Sequence, residues 1–272
     1  MIEVSSKIGV VLLKEYWTYT ENKSTLYSFL LPPLVLIITL IITILTNGVV
    51  LTPQTRALAL NQITSSPGLF GIDSRDLKLL GDSAITVAIL VVQIPIVIQI
   101  FTFIVTYNAV VQSFAFEKIN KTMEVLFSTP LSEEDIVYGK MIACVTIGLL
   151  SIVICTLTNS LCIQYIFLSH TGKFWSLTFG YLTLSLLLPL SMLFLALPIG
   201  LFVSVRAKSG DATKWGSLAG LFPIILFIIG WRYSPAMFFA IVELLGSVGF
   251  VMSMTLALIS RKIINRLAFI VN

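Results

Sequence analysis

The chain has 272 residues, 57% of them hydrophobic and only 11% charged, with a mean hydropathy of +1.00. A water-soluble domain carries roughly 25% charged residues, so a soluble core is excluded and lipid must solvate most of this surface. The net charge of +4 is spread without any basic run, which excludes a nucleic-acid footprint.

Residues 5–21 open the chain. Ile8, Val11, Leu12, Tyr16 and Tyr19 recur at helical spacing, and Lys7, Lys14, Thr18 and Glu21 lie mostly on the other side. With Trp17 and Tyr16 suited to the headgroup zone, residues 1–25 are predicted to form an amphipathic helix on the inner leaflet. Six apolar runs follow, at 26–46, 84–112, 141–168, 175–205, 215–230 and 236–260, each a candidate span of the ~20 residues a bilayer requires. Residues 47–83 form the longest connection, predicted to be extracytoplasmic.

Several spans carry prolines (Pro32, Pro33, Pro95, Pro189, Pro198, Pro223), which remove backbone hydrogen bonds and bend helices. Gln99, Thr102 and Thr106 share a face of the second span, and Thr156, Asn159 and Gln164 lie on the third. Gln99 and Asn159 are candidate pathway residues; the competing role is bonding between helices, which is the more frequent one. Cys144, Cys155 and Cys162 stand ~16 and ~10 Å apart along one helix, too far to share a metal ion. Glu243, ~12 Å from the outer end of the sixth span, is a further pathway candidate. Its alternative is a neutral acid bonded to a neighbouring helix.

With six spans and an inner N-terminus, twelve Lys and Arg residues fall inside and five outside. The positive-inside rule therefore predicts both termini in the cytosol. It also puts the polar insert 116–140, FEKINKTMEVLFSTPLSEEDIVYGK, on that side. In the insert Ile119, Met123, Leu126 and Phe127 form an apolar stripe, which predicts a helix continuing from the second span. After Pro130, Ser132 followed by Glu133, Glu134 and Asp135 predicts a capped helix start that runs through Gly139 and Lys140 into the third span. The insert is thus predicted as helix, sharp turn, helix, able to transmit a push to two spans.

The series Glu117, Thr122, Glu124, Leu126, then Pro130, Ser132, Gly139 and Lys140 resembles the cytosolic loop of type-2 ABC transporter permeases. KEYWTYTENKSTLYSFLLPPL at 14–34 and SVRAKSGDAT at 204–213 are similar to other parts of that family's pattern. The resemblance implies an all-α integral membrane protein of six transmembrane helices, a single permease domain over 1–272. An interfacial helix precedes the spans, and a cytosolic coupling helix lies in the hairpin 113–140, between spans two and three. It implies that the eight residues named above couple to a separate ABC ATPase subunit. That subunit would carry ATP and Mg, since this chain has no phosphate-cradling G-x-x-x-x-G-K-[ST] loop and no cofactor of its own. It further implies a second permease, identical or homologous, membrane lipids around both, residence in the plasma membrane, and export as the direction. The alternatives are a channel or carrier without ATP, disfavoured by the absence of a visible repeat, and an integral-membrane enzyme. The latter is disfavoured by the single histidine, His170, and the lack of clustered intramembrane carboxylates.

Overall fold

The computed structural model describes residues 2–21, 23–46, 70–81 and 83–206, with positions 57, 60, 244, 247–252 and 254–255. Among the described residues all regular structure is helical. In chain order the elements are α1 (Ile2–Glu21), α2 (Lys23–Leu45), a short α3 (Ser74–Leu80), α4 (Ser83–Ala115), α5 (Thr122–Phe127), α6 (Glu133–Thr171) and α7 (Phe179–Ser204). Of these, α4, α6 and α7 are long and apolar enough to cross a membrane. They match the predicted second, third and fourth spans, and α2 covers the predicted first. The fifth span, most of the sixth with Glu243, and most of the 47–83 loop lie outside the described residues.

The other two long helices, α6 and α7, pack on α4, the most buried of the three. Small residues set the close approaches. A Cβ on Gly200 of α7 would stand 2.9 Å from Val110 Cβ of α4, and one on Gly148 of α6 would strike Thr106 of α4 and Leu193 of α7. Helices in lipid gain little from hydrophobicity and depend on such contact. The side of α6 carrying Leu150, Leu157 and Leu161 is exposed in the described residues. The α6 helix ends on Gly172, whose left-handed φ of 65° suits glycine and whose N–H bonds Leu168 O.

Neither α4 nor α7 is regular. Wide π turns interrupt them at Ile89–Gln93, Gln112–Phe116 and Thr183–Leu187. A π turn redirects backbone bonds and leaves carbonyls in search of donors. By contrast α6 runs unbroken for 39 residues.

Candidate functional site: a buried charge knot behind the polar turn

The insert folds differently from a plain helical hairpin. The first arm does not continue from α4 as one helix. It breaks at Asn120–Lys121, where Lys121 takes φ 58°, uncommon for a residue with a side chain. Two short pieces result, Glu117–Ile119 and α5. Thr122 Oγ1 donates to Glu117 O (3.2 Å) and spans the break. The cause is composition: Asn120 and Lys121 add no apolar contact to hold a helix there, and two residues of turn suffice to reset the direction of α5. The second arm forms as its sequence predicts. Asp135 N–H donates to Ser132 Oγ (3.1 Å), Ser132 N–H donates to Asp135 Oδ2 (3.4 Å), and three acids occupy the first turn.

Behind this turn lies a knot of four charges. Lys140, fully buried on α6, donates from Nζ to Glu15 Oε1 of α1 (2.8 Å), to Ser113 O (2.7 Å) and to Ser113 Oγ (3.3 Å). Those bonds use all three donors of an ammonium group. Glu117 Oε2 also lies 2.7 Å from Lys140 Nζ, as an ion contact outside the hydrogen-bonding directions. Lys14, half-buried, pairs with Glu117 and with Glu15 (3.0 Å), and Ser113 Oγ donates to Glu15 Oε2 (2.8 Å). The Phe114 ring centroid is 5.4 Å from Lys140 Nζ. Two ammonium and two carboxylate groups thus balance, and helices α1, α4 and α6 each contribute. Burial alone would raise the Glu15 carboxyl. The charges of Lys140 and Lys14, with hydrogen bonds from Lys140 and Ser113, outweigh it and hold Glu15 below its ordinary value.

Local structure explains how the groups meet. The π turn Gln112–Phe116 lets Glu117 N–H bond Phe114 O, which leaves Ser113 O to face Lys140. On α1, Val11, Glu15 and Tyr19 fall four apart and are all buried. Gly139 lets α1 lie close: a Cβ there would be 2.7 Å from Val11 Cβ. Tyr19 contributes a contact with Cys144 Sγ (3.6 Å) and an edge-on contact with Phe29 of α2. The opposite face of α1 exposes Val10, Leu13 and Trp17. The predicted stripe of α1 therefore shifts: Tyr16 is exposed, and the buried stripe has an acid at its centre.

Of the residues singled out from sequence, Glu117, Gly139 and Lys140 meet in or beside the knot. Pro130 and Ser132 lie on the exposed turn, Thr122 starts α5 at the Asn120–Lys121 break, and Leu126 packs half-buried against the cluster containing Val11, Ile136 and Val137. The Glu124 side chain lies outside the described residues. Asn159 and Gln99 are buried inside the bundle, and Asn159 bonds between helices. Glu15 was not singled out. Its signal was an acid four residues from both Val11 and Tyr19, on the apolar side of an amphipathic helix.

A family model described as ABC-2 family transporter protein matches residues 75–265. The chain belongs to the ABC-2 transporter family. No curated protein and no solved structure matches it. The protein is accordingly a multi-pass membrane permease of an ABC transporter, a transport subunit whose class associates with ABC ATPases. The permease match includes Ser113, Glu117 and Lys140 but begins after α1, so Lys14 and Glu15 fall outside it.

Proposed function

We propose that this permease is the membrane half of an ATP-driven exporter in the plasma membrane, with cytosolic termini, a separate ATPase subunit and a second permease completing the pathway. The ATPase docks on the exposed turn around Pro130 and Ser132. A push there reaches the knot, which ties α1, the end of α4 and the start of α6 together, and so moves an interfacial helix and two spans as one. The carrying observation is the knot itself, a balanced, largely buried set of charges ~12 Å along α6 from the exposed turn. A loop that only connected spans would have no need of it. The positive-inside asymmetry of Lys and Arg supports the orientation.

The test pairs two kinds of variant in the complex co-expressed with its cognate ATPase. Pro130→Ala together with Ser132→Ala alters the exposed turn and is expected to weaken ATPase capture while the permease still accumulates in the membrane. Glu15→Gln is expected to leave capture intact but to reduce permease-stimulated ATP hydrolysis. If the turn variant captures ATPase as the unaltered chain does, the docking site lies elsewhere. ATP hydrolysis by the isolated permease would overturn the division between subunits.

A further inference from the structure

Two of the π turns share one layout. Ile89–Gln93 ends two residues before Pro95, and Thr183–Leu187 ends two residues before Pro189. Proline has no N–H, and its ring crowds the carbonyl four residues back. In α7 that carbonyl belongs to Ser185, whose helical donor would have been residue 189. In α4 the N–H of Ile94 turns back to Ile89 O, and the next N–H in line, that of residue 95, does not exist. Leu90 O is therefore deprived of both its i+4 and i+5 backbone donors, and Ser185 O of its i+4 donor, within an apolar interior where an unmet carbonyl is costly.

The α6 helix supplies both donors. Asn159 Nδ2 donates to Leu90 O (2.9 Å), and Thr156 Oγ1 donates to Ser185 O (3.0 Å). A carbonyl can only accept, so the first contact fixes which end of the Asn159 amide faces α4. Asn159 Nδ2 also donates to Tyr181 OH of α7 (2.9 Å). Thr156 and Asn159 are three residues apart and thus neighbours on the helix surface. One short stretch of α6 thereby holds α4 and α7 at the two places where proline has opened their backbones.

We propose that Thr156 and Asn159 are positioning residues of the transport cycle, a clamp that joins the proline-opened turns of α4 and α7 to the unbroken α6. Lys140 lies ~24 Å along the same helix. A displacement delivered at the knot travels along α6 to the clamp and moves α4 and α7 together. The role rests on the export reading above, but the clamp chemistry does not.

The test is a pair of double-mutant cycles on the full chain in lipid nanodiscs without nucleotide, read by the thermal midpoint for exposure of the buried Cys144 and Cys155 thiols. Thr156→Val removes the hydroxyl and keeps the shape, and it is expected to lower the midpoint. Thr156→Ser keeps the hydroxyl and is expected to restore it. In a Pro189→Ala background, residue 189 regains an N–H for Ser185 O, so Thr156→Val should lower the midpoint by less than half as much. Equal losses in both backgrounds would show that Thr156 only fills space, and would overturn the clamp. Asn159→Leu with Pro95→Ala gives the same comparison for α4, and decides the matter if Pro189→Ala does not fold. The positioning role is read separately, with the ATPase bound, from an environment-sensitive fluorophore on Phe179→Cys at the exposed start of α7. ATP is expected to change its emission, and Thr156→Val to abolish the change while ATP hydrolysis continues. A Thr156→Val response equal to that of the unaltered chain would remove the positioning role. No ATP response in the unaltered chain would instead count against the export reading, and the unfolding cycles would still decide the clamp.

Discussion

The knot at Lys140 and the clamp at Thr156 and Asn159 both join α4 to α6, the knot adding α1 and the clamp α7, by different chemistry. Each uses a carbonyl released at a π turn of α4, Ser113 O in one and Leu90 O in the other. At the knot the donor is an ammonium group balanced by two carboxylates. At the clamp the donors are a neutral amide and a hydroxyl. Depth accounts for the difference. A charge at the centre of a bilayer costs roughly 3 kcal/mol even on insertion scales. Neutral donors serve in mid-span, whereas the knot sits at a helix end beside the exposed turn. Charges add reach and strength where α1, which is not a span, must be held. They also make the knot conditional on every partner being present and ionised, which the clamp is not.

The largest effect should come from removing the central cation. Lys140→Met leaves Glu15 and Glu117 buried with only Lys14 between them, and breaking a buried pair in this way costs ~3–5 kcal/mol. The variant is expected to unfold at markedly lower temperature in nanodiscs, and Lys140→Met with Glu15→Gln to recover part of the loss. Were Lys140→Met no worse than Thr156→Val, the distinction between the two nodes would collapse.

Acid should separate them next. Glu15 titrates below its ordinary value of 4.5 in the folded chain. Its contribution is therefore complete above that value and is lost as pH falls through the lower folded one. The unaltered permease is expected to lose stability in this acid window, and Glu15→Gln to lose less. Thr156→Val, which alters no ionisable group, should fall in parallel with the unaltered chain. A window unchanged by Glu15→Gln would mean that other carboxylates set the acid limit.

A smaller effect tests packing at the knot apart from its charge. Gly139→Ala introduces a Cβ 2.7 Å from Val11 Cβ and Cγ1, and overpacking of this kind costs ~1–3 kcal/mol. Val11→Ala should restore most of the loss in the same unfolding measurement. If it does not, the strain falls on the α1 backbone, where Ile8 O is the next neighbour.

Much of this protein could be read from its residues in order. Runs such as 141–168 are apolar enough that only lipid can solvate them, and Ser132 followed by three acids marks a helix start in any context. Local sequence therefore determined the spans described here, the turn at Pro130, and the polar series from Glu117 to Lys140 by which the family was recognised. The break at Asn120–Lys121 was hidden because the stripe from Ile119 to Phe127 keeps helical spacing across it, and spacing alone does not report one left-handed residue. Tertiary structure decided what the polar side chains do. Glu117 and Lys140 suit a solvated hairpin in sequence, yet they are buried because α1 folds back over them with Glu15. Asn159 and Thr156 are fitting candidates for a water-filled path until Pro95 and Pro189, elsewhere in the chain, leave carbonyls to which they donate. The physical reason is common to both cases. The apolar surface of a helix is set by its own residues, but a buried polar group needs a partner, and for Glu15, Lys140, Thr156 and Asn159 the partner comes from another helix.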